Sequence, residues 1–96
     1  MRHTYIVTYD IRDPKRLRKV YKLMLGWGEH LQLSVFQCEL NARELIELRA
    51  ELAKLIRATL DQVLFVDVGT VEGRSPDTIT SLGVAYIDPE RIAIVV

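Results

Sequence analysis

The chain has 96 residues, enough for one domain with a modest core. At 49% hydrophobic and 27% charged it is no disordered tail. Its single cysteine, Cys38, excludes an intrachain disulfide or a thiolate zinc cluster. The formal charge of zero hides an asymmetry: residues 1–28 hold seven basic and two acidic side chains, and the rest six basic and eleven acidic ones. That pattern points to one cationic face on a neutral body.

Residues His3 to Ile11 are rich in Tyr, Ile, Val and Thr, which predicts a strand. Parity puts Tyr5, Val7 and Tyr9 on one face and Ile6, Thr8 and Asp10 on the other. Neither face is fully polar, so both sides of the sheet are expected to be covered. Asp13-Pro14 then opens a helix, with Asp13 as N-cap and Pro14 at the first helical position. Leu17, Val20, Tyr21 and Met24 form its expected buried stripe, and Gly26-Trp27-Gly28 ends it.

From His30 to Leu40 the apolar pattern changes phase, with Leu31, Leu33 and Val35 at odd positions and Phe36, Cys38 and Leu40 at even ones. One straight strand cannot bury both sets, so Ser34 marks a tight turn or a bulge. Asn41 caps a second helix, with Glu44 completing a capping box and Leu45, Leu48, Leu52, Leu55 and Ile56 as its stripe. Residues Gln62 to Gly69 read as a buried strand, and Gly69 to Gly83 as a loop. Ala85–Ile87 and Ile92–Val96 are short apolar runs split by Asp88-Pro89.

The order is strand, helix, strand, strand, helix, strand, with a β-rich tail. It predicts a single α+β domain over residues 1–96, a ferredoxin-like βαββαβ sandwich with an extra C-terminal β-strand. The sheet face bearing Ile6 and Thr8 then needs a cover, and a homodimer is the simplest one. Residues 84–96 would suit a strand added to the partner subunit. Arg2 and His3 lead straight into the first strand, and no apolar run approaches the ~20 residues of a membrane helix. A cytoplasmic protein with no membrane partner is expected.

The most informative stretch is Tyr9-Asp10-Ile11 followed by a helix bearing Arg12, Lys15, Arg16, Arg18, Lys19 and Lys22, opposed only by Asp13. An acid at a strand end beside such a face can hold a divalent metal next to bound phosphates. Magnesium takes one or two carboxylates plus water, so two copies of Asp10 would suit it better than one. Otherwise Asp10 caps a turn. Arg12, Arg16 and Arg18, with Lys15 and Lys19, are the expected phosphate contacts, because guanidinium matches phosphate bidentately. No base-reading motif is visible. Ser34 and Phe36 are ambiguous. A polar or base-stacking role near the metal competes with turn chemistry and core packing, and the latter is preferred. His3 and His30 lack an evident orienting acid, which argues against a histidine-based nuclease. Cys38 is expected to be inert.

Read together, Tyr9-Asp10-Ile11, Lys15-Arg16 with Val20 and Lys22, Gly26, and Gln32 with Ser34-Val35-Phe36-Gln37-Cys38-Glu39 resemble a known family. It is the smaller of the two core CRISPR-associated adaptation proteins, described as endoribonucleases. The resemblance covers residues 3–70, and Gln37 stands where members often carry glutamate. It implies a homodimer with facing sheets in which Asp10 meets its symmetry mate and helps bind magnesium; independently of the resemblance, Tyr9, Ser34 and Phe36 are candidate neighbours of that site. It also implies partnership with the CRISPR integrase. Two functions follow as expectations. One is a magnesium-dependent endonuclease on RNA or DNA with Asp10 catalytic. The other is a non-catalytic dimeric DNA-binding scaffold bridging integrase subunits. A small-ligand regulatory domain fits poorly, since no acidic or glycine-rich ligand pocket is evident.

Overall fold

Side-chain alternation decides which face of the sheet becomes the core. The computed structural model describes residues 1–73 and 80–84. In chain order these form β1 (His3–Asp10), α1 (Pro14–Leu25), β2 (Glu29–Gln32), β3 (Val35–Leu40), α2 (Ala42–Leu55) and β4 (Gln62–Thr70). The four strands make one antiparallel sheet in the order β2-β3-β1-β4, the ferredoxin-like arrangement expected. Val7 and Tyr9 of β1 and Phe36, Cys38 and Leu40 of β3 form one core with Val20 and Met24 of α1 and Leu48 and Leu52 of α2. Each large apolar side chain withdrawn this way contributes about 1.5–3 kcal/mol.

Local signals act where they were expected. Asp13 caps α1 by accepting from Arg16 N–H at 2.9 Å, with Pro14 opening the helix. The capping box of α2 is complete: Asn41 accepts from Glu44 N–H at 2.8 Å and Glu44 accepts from Asn41 N–H at 2.9 Å. Gly26 ends α1 with a right-handed φ of −82°, so no left-handed cap is used. Gly28 is required for another reason. A Cβ there would collide with the Gln37 carbonyl and the Cys38 sulfur of β3. The phase change resolves as a turn at Leu33–Ser34 between β2 and β3, with a register shift between His30 and Gln32.

Two burial expectations are corrected. β4 is not buried on both sides: Leu64 and Val66 are 48% and 47% exposed, and Val68 is also exposed. Among the described residues β4 is an edge strand, and of its side chains Val63 and Phe65 pack against the core. Ile6 and Thr8 of β1 stand in register with Val66 and Leu64, so these residues share one partly open apolar face. Leu17 of α1 is likewise 41% exposed, because it borders an open cavity instead of the core. The apolar runs Ala85–Ile87 and Ile92–Val96, and the strand expected to join a partner, lie outside the described residues except for residue 84. No helix among the described residues is long and apolar enough to cross a membrane.

Candidate metal and nucleic-acid site

Asp10 ends β1, where its backbone pairs with Gln62 of β4. Its side chain is exposed, and among the described residues its carboxylate has no hydrogen-bond or ion-pair partner. It is therefore not the cap of a turn. It stands at the mouth of a cavity of about 630 Å³ whose apolar wall is built from Tyr9, Ile11, Pro14, Leu17, Tyr21 and Leu33. The other lining groups are Arg18 and Ser34. One wall is the β2–β3 turn, held by two contacts. Tyr9 N–H donates to the Ser34 carbonyl at 3.1 Å, and His30 Nε2 lies 2.8 Å from the Leu33 carbonyl. Since that carbonyl only accepts, Nε2 carries the proton.

Tyr9, Asp10, Arg18 and Ser34 are thus brought together around one cavity. Phe36 is not at its surface. It is fully buried, stacked on Tyr9 at 6.2 Å and meeting Tyr21 and His30 edge-on or tilted at 5.9 and 4.8 Å. It supports Tyr9 from behind and cannot stack on a base. Burial raises the Tyr9 phenol above its ordinary range, with Tyr21 adding to the shift. Burial also pushes the Cys38 thiol up to about 11, which leaves it unreactive.

The basic residues separate into two groups. Arg12, Lys15, Arg18 and Lys19 are exposed. Arg16, expected on a phosphate, instead places Nε 2.7 Å and Nη2 3.1 Å from the two oxygens of Asp61. Asp61 also accepts from Arg12 N–H at 3.0 Å and Arg57 N–H at 2.8 Å, and its side chain is wholly withdrawn from solvent. The Arg16 guanidinium, then the two backbone donors, hold its carboxyl far below the usual carboxylate range against the opposing effect of burial. The sequence does not mark Asp61, because its charged partner Arg16 lies 45 residues away and only the Arg57 N–H is local.

His3 also departs from expectation. It has an acid, with Nδ1 2.9 Å from Asp67 Oδ2. The Gly69 N–H and then His3 lower the Asp67 pKa. This pair sits at the far end of β1 from Asp10, so it adds nothing to the cavity.

A single copy offers Asp10 as its one carboxylate at the cavity, and no group of three or more metal-ligating side chains occurs among the described residues. An exposed oxygen donor free of protein partners suits a hard cation that keeps most of its waters, and a second carboxylate would complete the usual pair.

Comparison with known proteins gives a consistent result. The family described as CRISPR associated protein Cas2 matches residues 2–73. The chain is 44% identical to the CRISPR-associated endoribonuclease Cas2 1 of Rhodospirillum rubrum, covering 98% of this chain and 91% of that protein. It is 40% identical to the CRISPR-associated endoribonuclease Cas2 of Geobacter sulfurreducens over the full length of both. Among solved structures, hypothetical protein TT1823 of Thermus thermophilus superposes with a TM-score of 0.78 at 32% identity, covering 91% of this chain and 98% of that one.

Proposed function

The chain belongs to the CRISPR-associated Cas2 family, and from that premise we propose that it is a divalent-metal-dependent endonuclease acting on RNA or DNA during spacer acquisition in antiviral defence. It works as a homodimer together with the CRISPR-associated integrase. The observation that carries this reading is the Asp10 carboxylate, exposed and unpartnered at the mouth of a cavity that also receives Arg18. Relatives at this identity bear the name endoribonuclease.

Asp10 of both copies would hold the cation, magnesium by preference for oxygen donors and water. When bound, it supplies positive charge against the charge developing on the phosphoryl oxygens. Arg18, Arg12, Lys15 and Lys19 bind the phosphates on either side of the scissile bond and fix its position. Tyr9 and Ser34 shape the wall beside Asp10. The partly open apolar face of Ile6, Leu64 and Val66 supports twofold pairing, since covering it removes apolar surface from water. A second reading, a scaffold that holds DNA and bridges integrase subunits, is favoured by the single carboxylate per copy.

Asp10→Asn separates the two. We expect it to abolish magnesium-dependent cleavage of labelled RNA and DNA while the dimer and its nucleic-acid affinity persist. Full cleavage by this variant would reject the enzyme reading. Loss of cleavage with integration retained would give the scaffold role priority.

A further inference from the structure

The most heavily bonded side chain described is neither at the cavity nor on the phosphate-facing surface. Asp61 lies just before Gln62, the residue paired with Asp10 where β1 and β4 part. Its carboxylate reaches across that gap to Arg12 N–H, two residues beyond Asp10, and to both Nε and Nη2 of Arg16 on the first turn of α1. Its second oxygen also closes the turn into β4 through Arg57 N–H. One withdrawn carboxylate therefore ties three segments: the end of β1, the start of α1 and the entry to β4. Ile11, between Asp10 and Arg12, is only 8% exposed, so the chain is fixed immediately after Asp10 on its buried side as well.

We propose that Asp61 and Arg16 are positioning residues for Asp10, a charged clasp that fixes the strand end from which the metal-binding carboxylate projects. This rests on Asp10 being the metal ligand. Arg16 serves two ends at once. It neutralises a carboxylate that would otherwise be buried alone, and its planar fork sets the angle between α1 and the strand end. Arg16 is accordingly not a phosphate contact, although it lies in the most basic segment of the chain. A clasp of this kind acts on the geometry of the ligand: outer partners of metal ligands typically alter metal affinity or activity by about 10–100-fold.

The test uses the full-length protein, three variants of the clasp and Asp10→Asn. Asp61→Asn keeps size and one acceptor but removes the charge. We expect amide hydrogen exchange at Arg12 and Arg57 to accelerate in the metal-free protein. Manganese binding, followed by electron paramagnetic resonance, should weaken about tenfold. Cleavage should recover when magnesium is raised well above its usual requirement, which a merely unfolded variant would not do. Arg16→Lys, which keeps the charge but not the fork, should fall between the two, and it carries the test if Asp61→Asn does not fold. Arg16→Gln should leave the salt dependence of metal-free nucleic-acid binding unchanged. A slope reduced by about one unit would instead put this guanidinium on a phosphate and overturn the proposal. Unaltered metal affinity in Asp61→Asn, alongside an inactive Asp10→Asn, overturns the clasp and leaves the metal site standing. An active Asp10→Asn removes the metal site and the clasp's purpose with it.

Discussion

The lowered pKa of Asp61 predicts an acid-sensitive contribution to the stability of the domain. Its folded pKa is held well below the ~3.9 of an unfolded aspartate, chiefly by the Arg16 hydrogen bonds. The unfolded chain therefore takes up the proton first as pH falls. The stabilisation is fully present above about pH 4 and drains away below it, toward the depressed folded value. Urea midpoints measured from neutral pH to roughly pH 2 should decline for the natural protein, and Asp61→Asn should flatten that decline while starting lower. Parallel curves would mean that another acid governs. Asp67 has a lowered pKa too, but it and His3 are both substantially exposed, so screening leaves their pair a minor contributor. Residue types announced Asp10 as a candidate because a strand ended on an acid beside a run of cations. They could not announce Asp61, since a carboxylate reveals its donors only once distant segments meet.

At the scale of elements, the helix starts were the most legible features, because a cap is a contact between residues three apart. Asp13 to Arg16 and Asn41 to Glu44 are both of this kind. Asn41→Ala removes one oxygen and orphans the Glu44 N–H, which should cost α2 about 1 kcal/mol. A melt followed by circular dichroism should then fall by roughly 4–8 °C, and an unmoved melt would show that packing alone holds this end. Burial was less legible. Helical spacing gave Leu17 the same standing as Val20 and Met24, but spacing cannot tell how wide a stripe the neighbours cover. The run Val63-Leu64-Phe65-Val66 looked like a strand enclosed on both sides. Its place at the edge of the described sheet leaves alternate side chains exposed, and that place depends on strand order, not on local composition.

For the whole molecule, the two faces of the sheet have different fates. One is sealed by α1 and α2, and the other presents Ile6, Leu64 and Val66 in register. Val66→Glu places a charge in the middle of that second face. On the proposed twofold pairing it should give monomer in light scattering and remove cleavage, whereas the same substitution at exposed Ile46 of α2 should do neither. A dimer that survives Val66→Glu would move the twofold contact elsewhere. The ferredoxin-like order and the placement of Asp10 at a strand end follow from patterning that the chain displays openly, while the cavity beside Asp10 and the commitment of Arg16 emerged only from the assembled fold. Cys38 has a practical corollary. The domain's one natural thiol is sealed in the interior with its proton firmly held. A newcomer such as Ile46→Cys would therefore take up a maleimide dye by itself, with no background to engineer away. Each subunit of the proposed dimer would then carry one fluorophore, and energy transfer between them would serve as a ruler across the pair.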